Sequence, residues 1–139
     1  MTAPEVLTAS VNIGAAPDVV FPYFTDPALM IQWLGDWAEL DAAPGGTFAI
    51  DMGVNTGTAR VPVRGEYVAV DPPHRVVFTW GVAGRAELPA GSTTVEVRLT
   101  AQGPETLVEL FHYGLPADQL DGHRSGWGEK LGTLARVWV

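Results

Sequence analysis

The sequence contains no cysteine, so disulfide bonds and thiolate metal sites are excluded, and a reducing compartment suits the chain. Positive charge is scarce: eight lysines and arginines face sixteen aspartates and glutamates, a formal charge of -8. Such a surface repels a phosphate backbone unless its cations cluster, and Arg60, Arg64, Arg75, Arg85, Arg98, Arg124 and Arg136 are scattered. No nucleic-acid partner is expected, and docking on an anionic membrane is disfavoured for the same reason. No apolar run approaches the roughly 20 residues of a spanning helix. Met1 to Ala9 has neither a basic segment nor a long apolar stretch, so no signal peptide and no membrane insertion are expected. The expectation is a soluble, cytoplasmic protein.

What is present points to a globule. The chain has 139 residues, 47% of them apolar and 17% charged, which fits a single domain spanning 1–139. Glu5 to Ile13 alternates as a strand does, with Leu7, Ala9, Val11 and Ile13 on one side. Pro17-Asp18 and Thr25-Asp26-Pro27 are helix-start signals, because proline suits the first helical position and Asp or Thr can cap. Two short helices in tandem are predicted, the second ending near Leu34-Gly35. Strands are then predicted over Ala38–Ala42, Thr47–Met52, Thr58–Val70, Arg75–Val82, Thr93–Thr100 and Thr106–Tyr113, each bounded by Pro or Gly, with a turn at 54–57. In the fifth of these, Val95, Val97 and Leu99 make a dry face, and Thr94, Glu96, Arg98 and Thr100 a wet one.

Residues 117 to 138 switch to a helical period, with Leu120, His123, Trp127, Leu131, Leu134 and Trp138 in one stripe. Gly122, Gly126, Gly128 and Gly132 each cost about 1 kcal/mol relative to alanine inside a helix, so that helix depends on burial. The loop from Gly84 to Gly91 is the segment expected to be most mobile.

One strand, two short helices, six turn-linked strands and a long helix do not make a βαβ alternation. The expected class is α+β, a helix-grip arrangement in which a curved antiparallel sheet (β-α-α-β6-α order) wraps the C-terminal helix. A bent sheet and a straight helix cannot touch along their whole length, and gaps of this kind are where small ligands bind. The same residues resemble a known family. Pro17-Asp18-Val19-Val20-Phe21, Pro44-Gly45-Gly46-Thr47-Phe48, Arg64-Gly65-Glu66-Tyr67, Asp71-Pro72-Pro73-His74-Arg75 through Trp80, and Gly126-Trp127 with Leu131 are similar to the activator of heat-shock-protein-90 ATPase homologue-like family. That family lies in the START-related (SRPBCC, birch-pollen-allergen-like) superfamily, and the resemblance runs from about Val6 to Leu134. It implies a helix-grip fold whose relatives include lipid carriers, hormone receptors, aromatases and cyclases.

The candidate cavity residues are Trp33, Phe48, Ile50, Met52, Tyr67, Phe78 and Trp80 on or near the sheet, with His112, His123, Trp127 and Leu131 completing the set. Aromatic rings in such number suit an apolar pocket, and ordinary packing between sheet and helix suits them too. His112 and His123 are a candidate acid/base or ligand-donor pair, since imidazole titrates near neutrality, or else hydrogen-bonded core residues. Asp51, Arg64 and Glu66 are polar handles only if they face inward, which alternation around Gly53 and Gly65 leaves open. Three histidines without HExxH-like spacing indicate no metal site, and no Gly-rich phosphate loop or GxSxG turn occurs, so neither catalytic residues nor a cofactor are assigned. The leading functional expectation is a module that binds a small hydrophobic molecule. The alternatives are an aromatase/cyclase-like enzyme using a cavity histidine and a co-chaperone-like or regulatory interaction protein. A homodimer through strand edges or loops is compatible with the residues but not required by them.

Overall fold

In a computed structural model, which describes residues 5–53 and 59–139, seven strands make one antiparallel sheet. They are β1 (Leu7–Ile13), β2 (Trp37–Leu40), β3 (Thr47–Met52), β4 (Val61–Asp71), β5 (Arg75–Trp80), β6 (Thr93–Gln102) and β7 (Glu105–Tyr113). The spatial order β1-β7-β6-β5-β4-β3-β2 means that each strand from β2 onward pairs with its successor, and β1 closes onto β7. Three α-helices accompany the sheet: α1 (Pro17–Val20), α2 (Pro27–Met30) and α3 (Leu120–Ala135). The sheet is curved, α3 packs against β1, and the whole is the helix-grip arrangement expected from the sequence. Among the described residues no helix is long and apolar enough to cross a membrane.

Several boundaries differ from the sequence reading. The second short helix stops at Met30 rather than Leu34, after Asp26 caps it by accepting from the Ala28 amide at 2.9 Å. Between α1 and α2, Phe21–Phe24 is a 3-10 turn with Pro22 in its first turn, where no amide donor is needed. The predicted strand start at Thr58 and the turn at 54–57 lie outside the described residues. β5 ends at Trp80 instead of Val82 because Gly81 is pressed against Pro89: a Cβ there would sit 1.7 Å from the Pro89 carbonyl oxygen. Val82 then pairs singly with Val63. The last helix is framed by 3-10 turns at Ala117–Gln119 and Arg136–Trp138.

The core follows the pleat. Val95, Val97 and Leu99 of β6 and Val108, Leu110 and His112 of β7 are buried on the inner face, as alternation requires. The expected division of β6 into a dry and a wet face fails at Glu96, which is only 7% exposed. Its carboxylate accepts from Arg75 Nε at 2.8 Å, Arg98 Nε at 3.1 Å and the Tyr113 hydroxyl at 3.2 Å. Burial pushes that carboxyl up, but these three donors outweigh it and hold it below the usual glutamate range.

β3 repeats the pattern. Asp51 was an open case, and it lies on the outer face, opposite Phe48 and Ile50, where Arg60 donates to Oδ2 and Arg64 to Oδ1 at 3.0 Å. Desolvation raises the Asp51 carboxyl, and the two guanidinium groups more than reverse it. Arg64 therefore also faces away from the interior, with its guanidinium 5.4 Å from the centroid of the Trp37 ring. Glu66 is exposed. None of these three is a polar handle inside the fold.

Candidate functional site

Between α3 and the end of the sheet formed by β3, β4 and β5 lies a cavity of about 270 Å³. Liquid water occupies about 30 Å³ per molecule, so the space equals about nine waters, room for a ring or a short chain. Met52, Val61 and Val63 supply its wall from β3 and β4, Leu34 from the segment after α2, and Trp80, Val82 and Arg85 from β5 and the loop that follows. The helix contributes Gly122, His123, Gly126, Trp127 and Lys130, and the 3-10 turn that leads into it contributes Gln119. These helical positions recur at spacings of three and four, so they form one strip along α3.

Local sequence explains how each wall is built. Met52, Val61 and Val63 project inward because they share the pleat parity of Ile50, with Met52 opposite Val61 and Ile50 opposite Val63. Arg85 is carried in by the Gly84–Gly91 loop, which is anchored by Leu88 (1% exposed) and by the Val82 amide bonding to the Leu88 carbonyl at 2.7 Å. On α3, a Cβ added at Gly122 or Gly126 would meet nothing within 4 Å. The helix thus presents bare backbone where the cavity lies.

Of the eleven residues expected at the cavity, Met52, Trp80, His123 and Trp127 are in its wall. The others are placed elsewhere. Phe48 and Phe78 stack at 4.0 Å between centroids, with Tyr67 set edge-on against both. The Tyr67 hydroxyl donates to the Phe24 carbonyl at 2.8 Å, and Trp33 Nε1 donates to the Tyr23 carbonyl at 2.9 Å. Both are aromatic anchors that tie the 3-10 segment to the core, with their polar ends satisfied. Ile50 and Leu131 are buried among apolar neighbours. His112, fully buried, stands behind the wall.

The hydrogen bonds of His112 define its protonation. An indole N–H only donates, so the 3.0 Å contact from Trp127 Nε1 makes Nδ1 an acceptor. The neutral ring then carries its proton on Nε2 and donates to Thr93 Oγ1 at 2.8 Å, while that hydroxyl donates to the Trp80 carbonyl at 2.6 Å. The relay Trp127, His112, Thr93, Trp80 is complete in one direction. Burial, and secondarily the neighbouring His123, pushes the His112 pKa down to about 3. With both nitrogens engaged, His112 has no free lone pair or proton to offer a substrate.

His123 differs. Its Nδ1 donates to the Gln119 carbonyl at 2.9 Å, which leaves Nε2 as the remaining nitrogen of a ring that belongs to the cavity wall. Burial lowers its pKa most, the Gln119 bond opposes that, and the positive charge of Arg85 lowers it further. The two imidazoles meet edge to face at 5.4 Å. Among the described residues no group of three or more His, Asp or Glu side chains is placed to hold a metal ion.

Trp80 and Trp127 pack at 4.9 Å and carry opposite polar fates. Trp127 donates to His112, whereas Trp80 Nε1 is buried with no acceptor among the described residues. Trp127→Phe strands the buried His112 acceptor, an expected cost of about 1–3 kcal/mol beyond lost packing. Trp80→Phe removes the same volume and a donor that bonds to nothing. Thermal unfolding should therefore show the larger loss for Trp127→Phe; equal losses would disprove the assigned relay.

The comparisons with known proteins come to the same fold. The family model described as "Activator of Hsp90 ATPase homolog 1-like protein" matches residues 14–138. A solution structure of an AHSA1-like protein from Rhizobium etli is 36% identical, with a TM-score of 0.73 over 99% of this chain and 83% of that one. The crystal structure of an AHSA1 protein from Silicibacter pomeroyi is 28% identical, with a TM-score of 0.80 and 96% of each chain covered. DynU16, from the dynemicin biosynthetic locus, is 24% identical with a TM-score of 0.79; 96% of this chain is covered, and it spans 47% of that protein, about half its length. No functionally curated protein matches the sequence.

Proposed function

The chain belongs to the activator of Hsp90 ATPase homolog 1-like family, and from that membership we propose that it is a binding module for a small hydrophobic molecule held between the sheet and α3. The observation that carries this reading is the cavity wall, in which valines, Leu34, Met52 and the Trp80 indole face a helix that brings the Trp127 indole and substitutes glycine for side chains at two successive turns. A helix interior loses about 1 kcal/mol for each glycine in place of alanine. Here that loss leaves space open, and an apolar guest would recover free energy by dehydrating the walls at about 25 cal/mol per Å².

Binding of this kind needs no catalytic group. Of the two imidazoles at the cavity, only His123 has a nitrogen available, and no carboxylate among the described residues is bonded to it; its Nδ1 partner is a backbone carbonyl. An aromatase/cyclase reading would have to rest on that ring alone.

Trp80 and Trp127 report on the site directly. A set of small apolar compounds, screened by tryptophan fluorescence and by melting temperature, should yield members that shift both. Saturation at about one hundred times Kd should add about 2.7 kcal/mol to stability. Uniform failure with a cooperatively folded sample would count decisively against the module.

A further inference from the structure

We infer that the guest is an amphiphilic carboxylate, its apolar body against Trp80, Trp127 and Val63 and its charged head between Arg85 and Lys130. This rests on the binding reading above and names the chemistry of the ligand.

The inference starts from how this acidic chain uses its eight cationic side chains. Arg60 and Arg64 are committed to Asp51, Arg75 and Arg98 to Glu96, and Arg124 to Glu5 and Asp121. Arg136 donates to Thr133 Oγ1. The two that remain, Arg85 and Lys130, have no side-chain acceptor among the described residues. Five of the eight cations thus have a carboxylate partner and Arg136 a hydroxyl, so cations left with no side-chain acceptor at all are the exception. Both of these exceptions lie in the wall of the same cavity, one delivered by the loop after β5 and the other by α3.

Two elements that are distant in sequence therefore bring two cationic side chains into the wall of one largely apolar space. A guanidinium presents paired N–H donors that match a carboxylate, and an ammonium adds a point charge. Low-dielectric walls strengthen that attraction relative to water. His123 reinforces it: its ring belongs to the same wall, and an adjacent anion would favour the protonated, donating ring. The charged groups facing that ring are Arg85 and Lys130 in the same wall, and its titratable neighbour behind is His112. The size of the cavity restricts the body to a ring or short chain, not a full-length acyl lipid.

Matched pairs separate the head from the body. Decanoate against decanol, and 2-naphthylacetate against 2-naphthaleneethanol, are titrated at pH 8 into wild type and into the Arg85→Gln/Lys130→Gln double variant, with melting curves confirming that the variant folds. In wild type each acid should bind at least about tenfold tighter than its alcohol, and the advantage should shrink as salt screens it. The double variant should lose that advantage, the affinity of each acid falling to that of its alcohol in the same variant. Equal affinity for acid and alcohol in wild type, or an acid preference that survives both substitutions, overturns the inference while leaving the binding module standing. Decyl phosphate binding more tightly than decanoate would overturn the carboxylate assignment. Failure of acids and alcohols alike would remove the module and the inference together.

Discussion

Replacing Gly126 with leucine should raise the melting temperature of the protein and abolish ligand binding at the same time. Gly126 is half-buried in the helix, lines the cavity, and has no atom within 4 Å of where a Cβ would stand. Leucine is among the better helix formers, so the backbone gains about 1 kcal/mol in an interior position, which for a chain of this size moves the midpoint by a few degrees. The new side chain enters the space the guest would use. Affinity should fall by about a hundredfold or more, equivalent to about 2.7 kcal/mol. Gly122→Leu, at an exposed position one turn earlier in the same wall, should act in the same direction. Gly128→Ala is the control, because Gly128 is exposed and outside the wall: it should stabilise the helix and leave binding alone. Calorimetric titration beside thermal unfolding checks both halves. Should Gly126→Leu bind like wild type, the cavity is not the site.

Acid should unfold the protein earlier than its carboxylates alone would require, with His112 as the main cause. An unfolded chain protonates this imidazole near pH 6.5, and the folded one does so only near pH 3. Between those values the unfolded state holds more protons, so stability falls as pH drops through the interval and is complete above it. At 1.36 kcal/mol per pKa unit, the full interval represents about 4–5 kcal/mol, a large part of the stability of an ordinary domain. The structural cause is explicit: a second proton on His112 would place an N–H against the indole N–H of Trp127. His123, lowered by burial, contributes with the same sign. His112→Gln keeps an acceptor and a donor without titrating. Urea midpoints measured from pH 8 to pH 4 should therefore decline less steeply in the variant than in wild type. Parallel declines would show that the buried ring is not responsible.

Much of this architecture was legible in the residues. Period-two alternation placed the inward rows of β1 and β6, and proline and glycine marked the ends of most strands. The helical stripe of Trp127, Leu131 and Leu134 was visible because burial selects apolar residues at spacings of three and four. The cavity was legible only in part. Phe48, Phe78, Tyr67 and Trp33 have the composition of a pocket lining, yet large rings also fill a core, and in this chain they do. Arg85, Lys130, Gly122 and Gly126 carry no hydrophobic signal. An unpaired cation looks the same in sequence as a solvated one, and glycine in a helix reads as a cost. The signal that could have found them was the spacing of Gly122, Gly126 and Lys130 at successive turns, offset from the apolar stripe by about one residue. Glu96 and Asp51 escaped for a different reason: their burial depends in part on arginines brought from the neighbouring strand, Arg75 of β5 and Arg64 of β4, which pairing alone reveals.

Glu96 bears on more than local charge. Its partners come from β5, β6 and β7, so the three strands are clasped at one point on the outer side of the sheet. A slip of β6 by a single residue would turn that anion to the other face of the sheet, away from the Arg75 guanidinium on β5 and the Tyr113 hydroxyl on β7. Misregistered assembly of the central strands is thereby penalised while the chain folds, and Glu96 acts as a proofreading mark for the meander.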